Sequence, residues 1–300
     1  MLNLLKIQDY MQRATRGEVT ISPSATQDFA DECKESVDIQ LNRKREYRIR
    51  MSGLGRPLCQ QLLERSGLVE EMDYNALFRF LFGDLVESVA VLIMEQAGVE
   101  IVEKQKAVSL NIAGQTINGT LDLILRDEMG IDKVWDVKSA SEWAFKFKYT
   151  GYGGYDKIKE DDPFGYIGQI SAYAEANGIG GKGVRPDEII AAFLVIDKST
   201  GEICLTPVRN TEKDNATHRV NQVKGMVSND HVPDRCYDPL ADGESGNLKL
   251  AMGCIYCSHK RECWSDANQG KGLRAFKYAR GLNYLVKVSK EPKVEEVMNW

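Results

Sequence analysis

The sequence has no apolar run long enough to cross a membrane as a helix, no internal repeat and no low-complexity tract. Its first residues also lack the features of a signal peptide, because Lys6 and Asp9 interrupt the apolar stretch and no small-residue cleavage site follows. We therefore expect a cytoplasmic protein without a membrane partner.

Positive charge is also scarce relative to negative charge. The 39 Lys and Arg residues are outnumbered by 44 Asp and Glu residues, so the formal net charge is −5. This balance argues against a protein that coats nucleic acid through overall electrostatic attraction, although a local basic groove beside an acidic metal site is compatible with it. The 300 residues, 43% hydrophobic and 28% charged, are typical of a globular protein with one large domain or two small ones.

The seven cysteines do not indicate a set of disulfides, because their number is odd and no export signal precedes them. Cys254, Cys257 and Cys263 lie close together in the sequence, and such a triplet indicates a centre ligated by thiolates. Zinc sites more often draw their ligands from two local pairs, and the second pair is missing here. An iron–sulfur cluster is therefore the favoured interpretation, with Zn²⁺ as the alternative.

Two apolar stretches, Gly119–Leu125 and Lys133–Ser139, predict neighbouring strands joined by a polar turn. Side chains alternate along a strand, so Asp136 and Lys138 point the same way, and strand pairing would bring Asp122 to the same face. Two carboxylates and an ammonium group together suit a metal-dependent phosphodiester hydrolase, in which the carboxylates hold Mg²⁺ or Mn²⁺. The alternative is an ordinary solvated sheet face.

Two helices are predicted on either side of these strands. The segment Tyr74–Ala97 has helical apolar periodicity, and Glu87 shares its apolar stripe. A carboxylate there needs a partner or a metal, so the open alternatives are a metal ligand and a boundary glutamate paired with an arginine. A later helix is predicted to start after Asp162, with Gln169 and Tyr173 on one face.

These residues resemble, in their order, the motifs of the PD-(D/E)XK nuclease superfamily and its RecB-like branch. The resemblance extends from Ser52 to Cys263. It implies an α/β fold with a restriction-endonuclease-like core, in which a central mixed sheet is flanked by helices. The motif residues, in chain order, are Glu87, Asp122, Asp136, Val137, Lys138, Gln169 and Tyr173.

The resemblance also assigns roles to these residues. Asp122, Asp136 and the carbonyl of Val137 would bind Mg²⁺ or Mn²⁺, and Lys138 would be the catalytic lysine. Glu87 would be a further metal ligand, at a position where many relatives have histidine. Asp136 stands where many relatives have Glu. The remaining pair, Gln169 and Tyr173, would position the DNA backbone or order the site.

The cysteine triplet with one distant cysteine resembles the AddB-like and CRISPR-associated RecB-like nucleases. In those proteins a [4Fe-4S] cluster joins the two ends of the nuclease domain. On this resemblance Cys59 is the fourth ligand, and Cys236 and His259 are the competing candidates. The expected organisation is a helical extension at 1–50, a nuclease core at 51–230 and a C-terminal iron–sulfur lobe at 231–300, joined to the core through Cys59.

Aromatic and lysine residues alternate directly after the second predicted strand, and the C-terminal tail has a similar composition. Single-stranded nucleic acid is held by aromatic stacking platforms in basic grooves, which makes this segment a candidate DNA contact. The alternative is that half of these rings belong to the core. The candidate residues are Trp143, Lys146, Lys148, Tyr149 and Tyr152, and those of the tail are Arg274, Phe276, Lys277, Tyr278, Arg280 and Tyr284.

The sequence therefore predicts a metal-dependent DNA nuclease. The cluster-bearing relatives imply an exonuclease in recombination or repair whose partner is DNA, single-stranded or with free ends. One rival is a non-cleaving iron–sulfur scaffold that binds nucleic acid, which the intact set of Asp122, Asp136 and Lys138 disfavours. A second rival is a redox protein whose cluster carries electrons. Exonuclease and endonuclease action are not distinguished by the sequence.

Overall fold

The computed structural model describes residues 2–42, 47–65, 74–112, 114–150, 154–160, 162–213, 216–228, 234–279 and 281–300. The chain forms two compact units, one of Met1–Gly55 with Asp73–Val220 and one of Arg56–Met72 with Asn221–Trp300. Among the described residues, no helix is both long and apolar enough to cross a membrane.

A five-stranded mixed sheet forms the centre of the first unit, with its strands in the order β1-β2-β3-β4-β5. The first three strands form an antiparallel meander, β4 is parallel to β3, and β5 is antiparallel to β4. The expected α/β class with a central mixed sheet is confirmed. The strands are β1 (Ile101–Ile112), β2 (Gln115–Arg126), β3 (Asp132–Ala140), β4 (Ile189–Asp197) and β5 (Ile203–Arg209).

Helices lie before, between and after these strands. A π-helical turn over Phe145–Tyr149 and 3₁₀ turns over Met51–Gly53 and Asn210–Glu212 supplement them. The α-helices are α1 (Leu2–Ala14), α2 (Pro23–Asn42), α3 (Leu58–Arg65), α4 (Tyr74–Gln96), α5 (Glu142–Ala144), α6 (Tyr155–Glu160), α7 (Tyr166–Ala176), α8 (Ala216–Ser228), α9 (Met252–Ile255), α10 (Lys260–Cys263) and α11 (Ala267–Gly270).

Each face of this sheet is covered by a separate apolar core, which explains why β4 is an almost continuous apolar run. On one face, Ile7 of α1 and Met94 of α4 pack with Trp135 of β3. On the other face, Tyr173 of α7 packs with Phe193 of β4. Trp135 and Val137 of β3 both lie in the first core. Because neighbouring strand residues alternate between the two cores, Asp136, which lies between them, faces α7.

Close backbone contact fixes the start of α7. A Cβ atom on Gly55 would overlap the backbone of Gly165, and one on Gly168 would overlap the backbone of Gly55, so no larger residue fits this crossing. Asp162 accepts hydrogen bonds from the amides of Tyr166 (2.9 Å) and Ile167 (3.0 Å) and so satisfies the first turn of this helix. The helix nevertheless begins at Tyr166, directly after Gly165, and not directly after Asp162 as the sequence predicts.

The N-terminal residues belong to the first unit and do not form a separate extension at 1–50. Ile7 is buried in the core beneath α4, and Gln40 of α2 donates a hydrogen bond to Asp84 of α4 (2.8 Å). Arg50 forms a strand-like bridge with Asn118 of β2. Burial of apolar side chains against α4 thus places this segment within the core unit.

The second unit contains a sheet that the sequence analysis did not anticipate. Its strands have the order β10-β8-β9-β7-β6, and the four short helices α3, α9, α10 and α11 accompany them. The five strands are β6 (Leu240–Ala241), β7 (Leu248–Lys249), β8 (Arg274–Tyr278), β9 (Gly281–Lys287) and β10 (Glu296–Val297).

The aromatic and basic composition of the tail is explained by this second sheet. Phe276 is buried in β8, and Arg274 makes ion pairs with Glu291 (2.8 Å) and Glu296 (2.6 Å). The hydroxyl of Tyr278 donates a hydrogen bond to Oδ2 of Asp242, the residue after β6 (2.8 Å). These three side chains are used within the unit, whereas Lys277 is exposed and Arg280 lies outside the described residues. A nucleic-acid contact by the tail stays a prediction.

Candidate active site and cysteine cavity

The two predicted catalytic strands pair as expected. In the β2–β3 ladder Leu123 is opposite Trp135, and the register carried one residue further places Asp122 opposite Asp136. At that point Oδ2 of Asp122 accepts a hydrogen bond from the amide of Val137 (3.0 Å). The side chain of Asp122 is thereby fixed beside the predicted ligand strand, and the predicted pairing of the two strands is confirmed.

Asp136 and Lys138 form a buried ion pair on β3. The ammonium nitrogen of Lys138 lies 2.6 Å from Oδ2 of Asp136, and Asp136 is only 1% exposed. Burial lowers the pKa of Lys138, but the charges of Asp136 and Asp122 outweigh that effect and raise the pKa above its ordinary value. Lys138 is therefore a cation at neutral pH.

The described residues leave the second oxygen of Asp136 unsatisfied. Oδ1 is buried and has no hydrogen-bond partner among the described residues. Leaving a buried acceptor unsatisfied costs roughly 1–3 kcal/mol, and more for a charged group. A cation bound at this oxygen would remove that cost, so the donor chemistry of Asp136 fits the predicted Mg²⁺ or Mn²⁺ ligand.

Glu87 of α4 belongs electrostatically to the same group of acids. Burial, followed by the negative charges of Asp122 and Asp136, raises the pKa of Glu87 to about 9. The pKa of Asp122 is raised to about 7, mainly by burial and then by the charge of Asp136. Acids that repel one another in this way favour either protons or a bound cation.

Two residues at this site were not identified from the sequence. Gln105 of β1 donates a hydrogen bond from its side-chain amide to Oε1 of Glu87, so the partner of Glu87 is this amide. Gln105 has a left-handed backbone with φ of 48°, and no sequence signal predicts that conformation. Asp84 lies one turn before Glu87 and contributes to raising its pKa. The i, i+3 spacing of Asp84 and Glu87 places both on one helix face, and this spacing is the sequence signal that could have identified Asp84.

The predicted pair on α7 lies beneath the acidic group. Gln169 donates a hydrogen bond to the hydroxyl of Tyr173 (3.3 Å), and Tyr173 is buried in the core. The absence of a side chain at Gly119 makes room for its ring, because a Cβ atom there would lie 2.8 Å from Cε1 of Tyr173. Burial leaves Tyr173 able to order the site but not to contact DNA directly.

Tyr166, the first residue of α7, was also missed. The Lys138 ammonium lies 4.8 Å from the centre of the Tyr166 ring, a cation–π geometry that complements its ion pair with Asp136. The ring of Tyr166 stacks on Phe164 with their centres 5.5 Å apart. An aromatic residue thus limits where Lys138 can move.

The aromatic–lysine segment after β3 is divided between surface and core. Trp143 and Phe147 are exposed, with ring centres 5.5 Å apart, whereas Tyr149 packs against the core of the first unit. Lys146 is exposed but paired with Glu142 (2.6 Å). Lys148 is half-buried and Tyr152 lies outside the described residues. Tyr149 is half-buried and its ring packs against the core, which favours the alternative that part of these rings belong to the core.

Five cysteines line one cavity within the second unit. Cys59 of α3 and Cys236 meet the triplet of Cys254, Cys257 and Cys263 there. The amide of Cys59 donates a hydrogen bond to the sulfur of Cys236 (3.1 Å). The structure thus brings Cys59 beside the triplet, although the two are far apart in the sequence. The role of Cys59 as a fourth ligand stays a prediction.

The structure differs from the expectation in one respect, because Cys59 and Cys236 are joined by a disulfide. Neither sulfur is a free thiolate in that state, so ligation by either residue requires the reduced pair. Cys236 lines the cavity and stays a candidate fourth ligand, whereas His259, although buried, does not line it. Burial raises the pKa of the Cys257 thiol to about 11, and it also raises the pKa values of Cys254 and Cys263.

Neither the acidic group around Asp136 nor the cysteine cavity has the geometry of an occupied metal site. In the part of the chain that the structure describes, no three acidic, cysteine or histidine side chains converge in the geometry of a bound ion. The donors nevertheless match the predicted groups in kind. Hard carboxylate oxygens around Asp136 suit Mg²⁺ or Mn²⁺, and clustered thiols suit an iron–sulfur cluster or Zn²⁺.

No family model matches the chain, and no curated protein is significantly similar to it. Among the matching chains of solved structures is one titled "Crystal structure of SSO0001", which is 14% identical. The match covers 78% of this chain and 93% of that chain, with a TM-score of 0.43. A likeness of that size carries no conclusion about fold or activity.

Proposed function

We propose that this protein is a metal-dependent DNA nuclease of the PD-(D/E)XK type. The observation that carries the proposal is the buried Asp136, whose Oδ1 has no hydrogen-bond partner in the described part of the chain while Lys138 pairs with Oδ2. Buried carboxylates with raised pKa values beside a fixed cation are typical of functional sites. The raised pKa values of Glu87 and Asp122 support the same interpretation, because a divalent cation would relieve their repulsion.

Each residue has a distinct role in this proposal. Asp122, Asp136 and Glu87 would hold Mg²⁺ or Mn²⁺, which when bound lowers the pKa of a water molecule and offsets charge on the scissile phosphate. Lys138 is a fixed cation, so it serves to orient the attacking water and to stabilise negative charge that develops on the phosphate. Its high pKa makes it a poor general base at neutral pH.

Cleavage of defined DNA substrates tests this function. The reduced protein, purified without oxygen, is incubated with end-labelled linear and closed-circular DNA, both single- and double-stranded, with Mn²⁺, Mg²⁺ or EDTA. We expect divalent-dependent cleavage of linear DNA only, which is exonuclease action on free ends and suits recombination or repair. Cleavage of circles would instead identify an endonuclease. Absence of cleavage with bound DNA would favour the non-cleaving scaffold.

We propose further that the cysteine cavity binds a structural [4Fe-4S] cluster, with Zn²⁺ as the alternative. Five cysteines around one cavity exceed the four ligands that such a cluster needs. The Cys59–Cys236 disulfide must first accept two electrons from a thiol reductant, which yields two thiols. Iron, sulfide and zinc contents of protein purified anaerobically with dithiothreitol distinguish the two metals. A cluster that undergoes reversible reduction without DNA cleavage would favour the redox protein.

A further inference from the structure

The first half of α4 carries an unusual set of exposed aromatic residues. Four large rings lie within nine residues, whereas exposed apolar side chains on a soluble surface are normally scattered singly. These four are Tyr74 (70% exposed), Phe78 (60%), Phe80 (49%) and Phe82 (63%).

Only Phe80 lies on the side of α4 that carries the acidic residues. A helix turns about 100° per residue, so Phe80 is about 20° from Glu87 and about 40° from Asp84 around the axis, while the other three rings are about 140° or more from Glu87. Further along the same face Val91 and Met94 are buried under the helix. Phe80 is therefore the exposed continuation of the face that holds Glu87.

The separation of Phe80 from Glu87 suits a contact with the substrate strand. Seven residues of helix span about 10.5 Å along the axis. One strand of a duplex advances about 3.4 Å per nucleotide, so this ring lies within about three nucleotides of a phosphate bound beside Glu87. Inside a duplex each base already stacks on both of its neighbours, so an unpaired base presents its face to a protein ring far more readily than a paired one.

We propose that Phe80 stacks on an unpaired base of the strand whose phosphate is bound beside Glu87, Asp122 and Asp136. This inference rests on the proposed nuclease function. It makes the site selective for single strands and frayed ends, because a paired base presents its face to the ring far less readily. The acidic group alone would bind a phosphate through metal without regard to base pairing.

The experiment compares Phe80→Ala with Phe82→Ala in the full-length reduced protein. Phe82 is the matched control, because it is a similarly exposed ring on the same helix that points away from the acidic group. The probes are a single-stranded oligonucleotide with 2-aminopurine near its end and its blunt duplex, bound in Ca²⁺. Stacking is measured as quenching of 2-aminopurine fluorescence, affinity by titration, and the fold of each variant by thermal unfolding.

We expect Phe80→Ala to weaken single-strand binding by roughly 5- to 100-fold and to abolish the quenching. Phe80→Trp should restore both, and duplex affinity should not change in any variant. Phe82→Ala should bind the single strand within about twofold of the unchanged protein. Equal losses in Phe80→Ala and Phe82→Ala, or none in either, would overturn the stacking role while leaving nuclease activity intact. If the unchanged protein binds and cleaves no DNA, both the nuclease function and this inference are wrong.

Discussion

The ammonium group of Lys138 lies 2.6 Å from Oδ2 of Asp136, two residues earlier on the same strand. The pair faces α7, and the ring of Tyr166 lies beside the ammonium. Lys138 is paired with Oδ2, and Oδ1 is buried without a hydrogen-bond partner among the described residues, so a cation bound at Oδ1 would satisfy it while Oδ2 keeps its ion pair. This arrangement suits a site that must keep both a metal ligand and a protein cation in place.

Replacement of either partner of this pair should abolish cleavage. We expect Asp136→Asn and Lys138→Met each to reduce the rate at least about 100-fold, because both groups act on the same transition state. Each single change also leaves one buried charge unpaired, which costs roughly 3–5 kcal/mol of stability. The double variant D136N/K138M should therefore recover stability but not activity, as measured by thermal unfolding and DNA cleavage.

The control for this experiment is Lys133→Met on the same strand. Lys133 makes an ion pair of similar length with Asp127 (2.7 Å), outside the acidic group, and its loss should leave the cleavage rate within about twofold. Near-normal cleavage by the Asp136 variant would overturn the assignment of the active site.

Stability of the metal-free protein should depend on the ionisation of Glu87. Its pKa rises from the ordinary 4.5 to about 9 on folding, so the folded state binds the proton more tightly. The contribution of protonated Glu87 to the free energy of unfolding is fully present below pH 4.5 and is lost as pH rises through about 9. Relative to Glu87→Gln, the unchanged protein should therefore lose at least about 4 °C in Tm between pH 5 and pH 9.

Divalent cations should reverse this loss. Ionised carboxylates bind Mg²⁺ and protonated ones do not, so Mg²⁺ should raise the Tm of the unchanged protein more at pH 9 than at pH 5. Glu87→Gln should show a smaller gain at pH 9. Thermal unfolding in EDTA and in Mg²⁺ at both pH values measures these differences, and equal gains at pH 5 and pH 9 would contradict a carboxylate metal site.

Removal of single cysteines should identify the cluster ligands. We expect Cys59→Ser, like Cys257→Ser, to lose most of the iron and visible absorbance and to become protease-sensitive, because a metal that closes so long a loop strongly restricts the unfolded chain. Cys236→Ser should keep the metal, since four ligands then remain at the cavity. Iron and sulfide content after anaerobic purification with dithiothreitol provides the measurement.

The free cysteines outside the cavity are the matched controls. Cys33 and Cys204 are half-buried free thiols, and their replacement by serine should leave the metal content unchanged. If Cys236→Ser loses the cluster while Cys59→Ser retains it, the fourth ligand is Cys236 and the long-range link through α3 is wrong.

The pairing of β2 with β3 could be predicted because local rules fix it. A period of two sets the face of Asp136 and Lys138, and a short turn sets the partner of Asp122. The segment after β3 shows where such rules are ambiguous. The alternation of aromatic and basic residues predicts one aromatic surface, yet i, i+4 spacing separates the exposed pair of Trp143 and Phe147 from the inward pair of Phe145 and Tyr149.

Other features depend on distant contacts that no local pattern encodes. The strands β6, β7 and β10 are two residues long, too short to produce an alternation, so the second sheet could not be recognised. The approach of Cys236 to Cys59 joins residues 177 positions apart. The left-handed backbone of Gln105 is imposed by its surroundings, since glutamine does not favour it.

Gln105 should position Glu87 for metal binding. Its amide donates to Oε1 of Glu87 from a left-handed backbone, a conformation of the kind that concentrates at functional sites. We expect Gln105→Gly, which suits the positive φ but removes the amide, to keep or raise Tm while weakening Mn²⁺ affinity by roughly 5- to 10-fold. Gln105→Asn should retain part of that affinity, because asparagine tolerates this backbone and keeps the amide on a shorter arm. Calorimetric titration with Mn²⁺ measures the effect, and unchanged affinity in Gln105→Gly would show that Glu87 is held without Gln105.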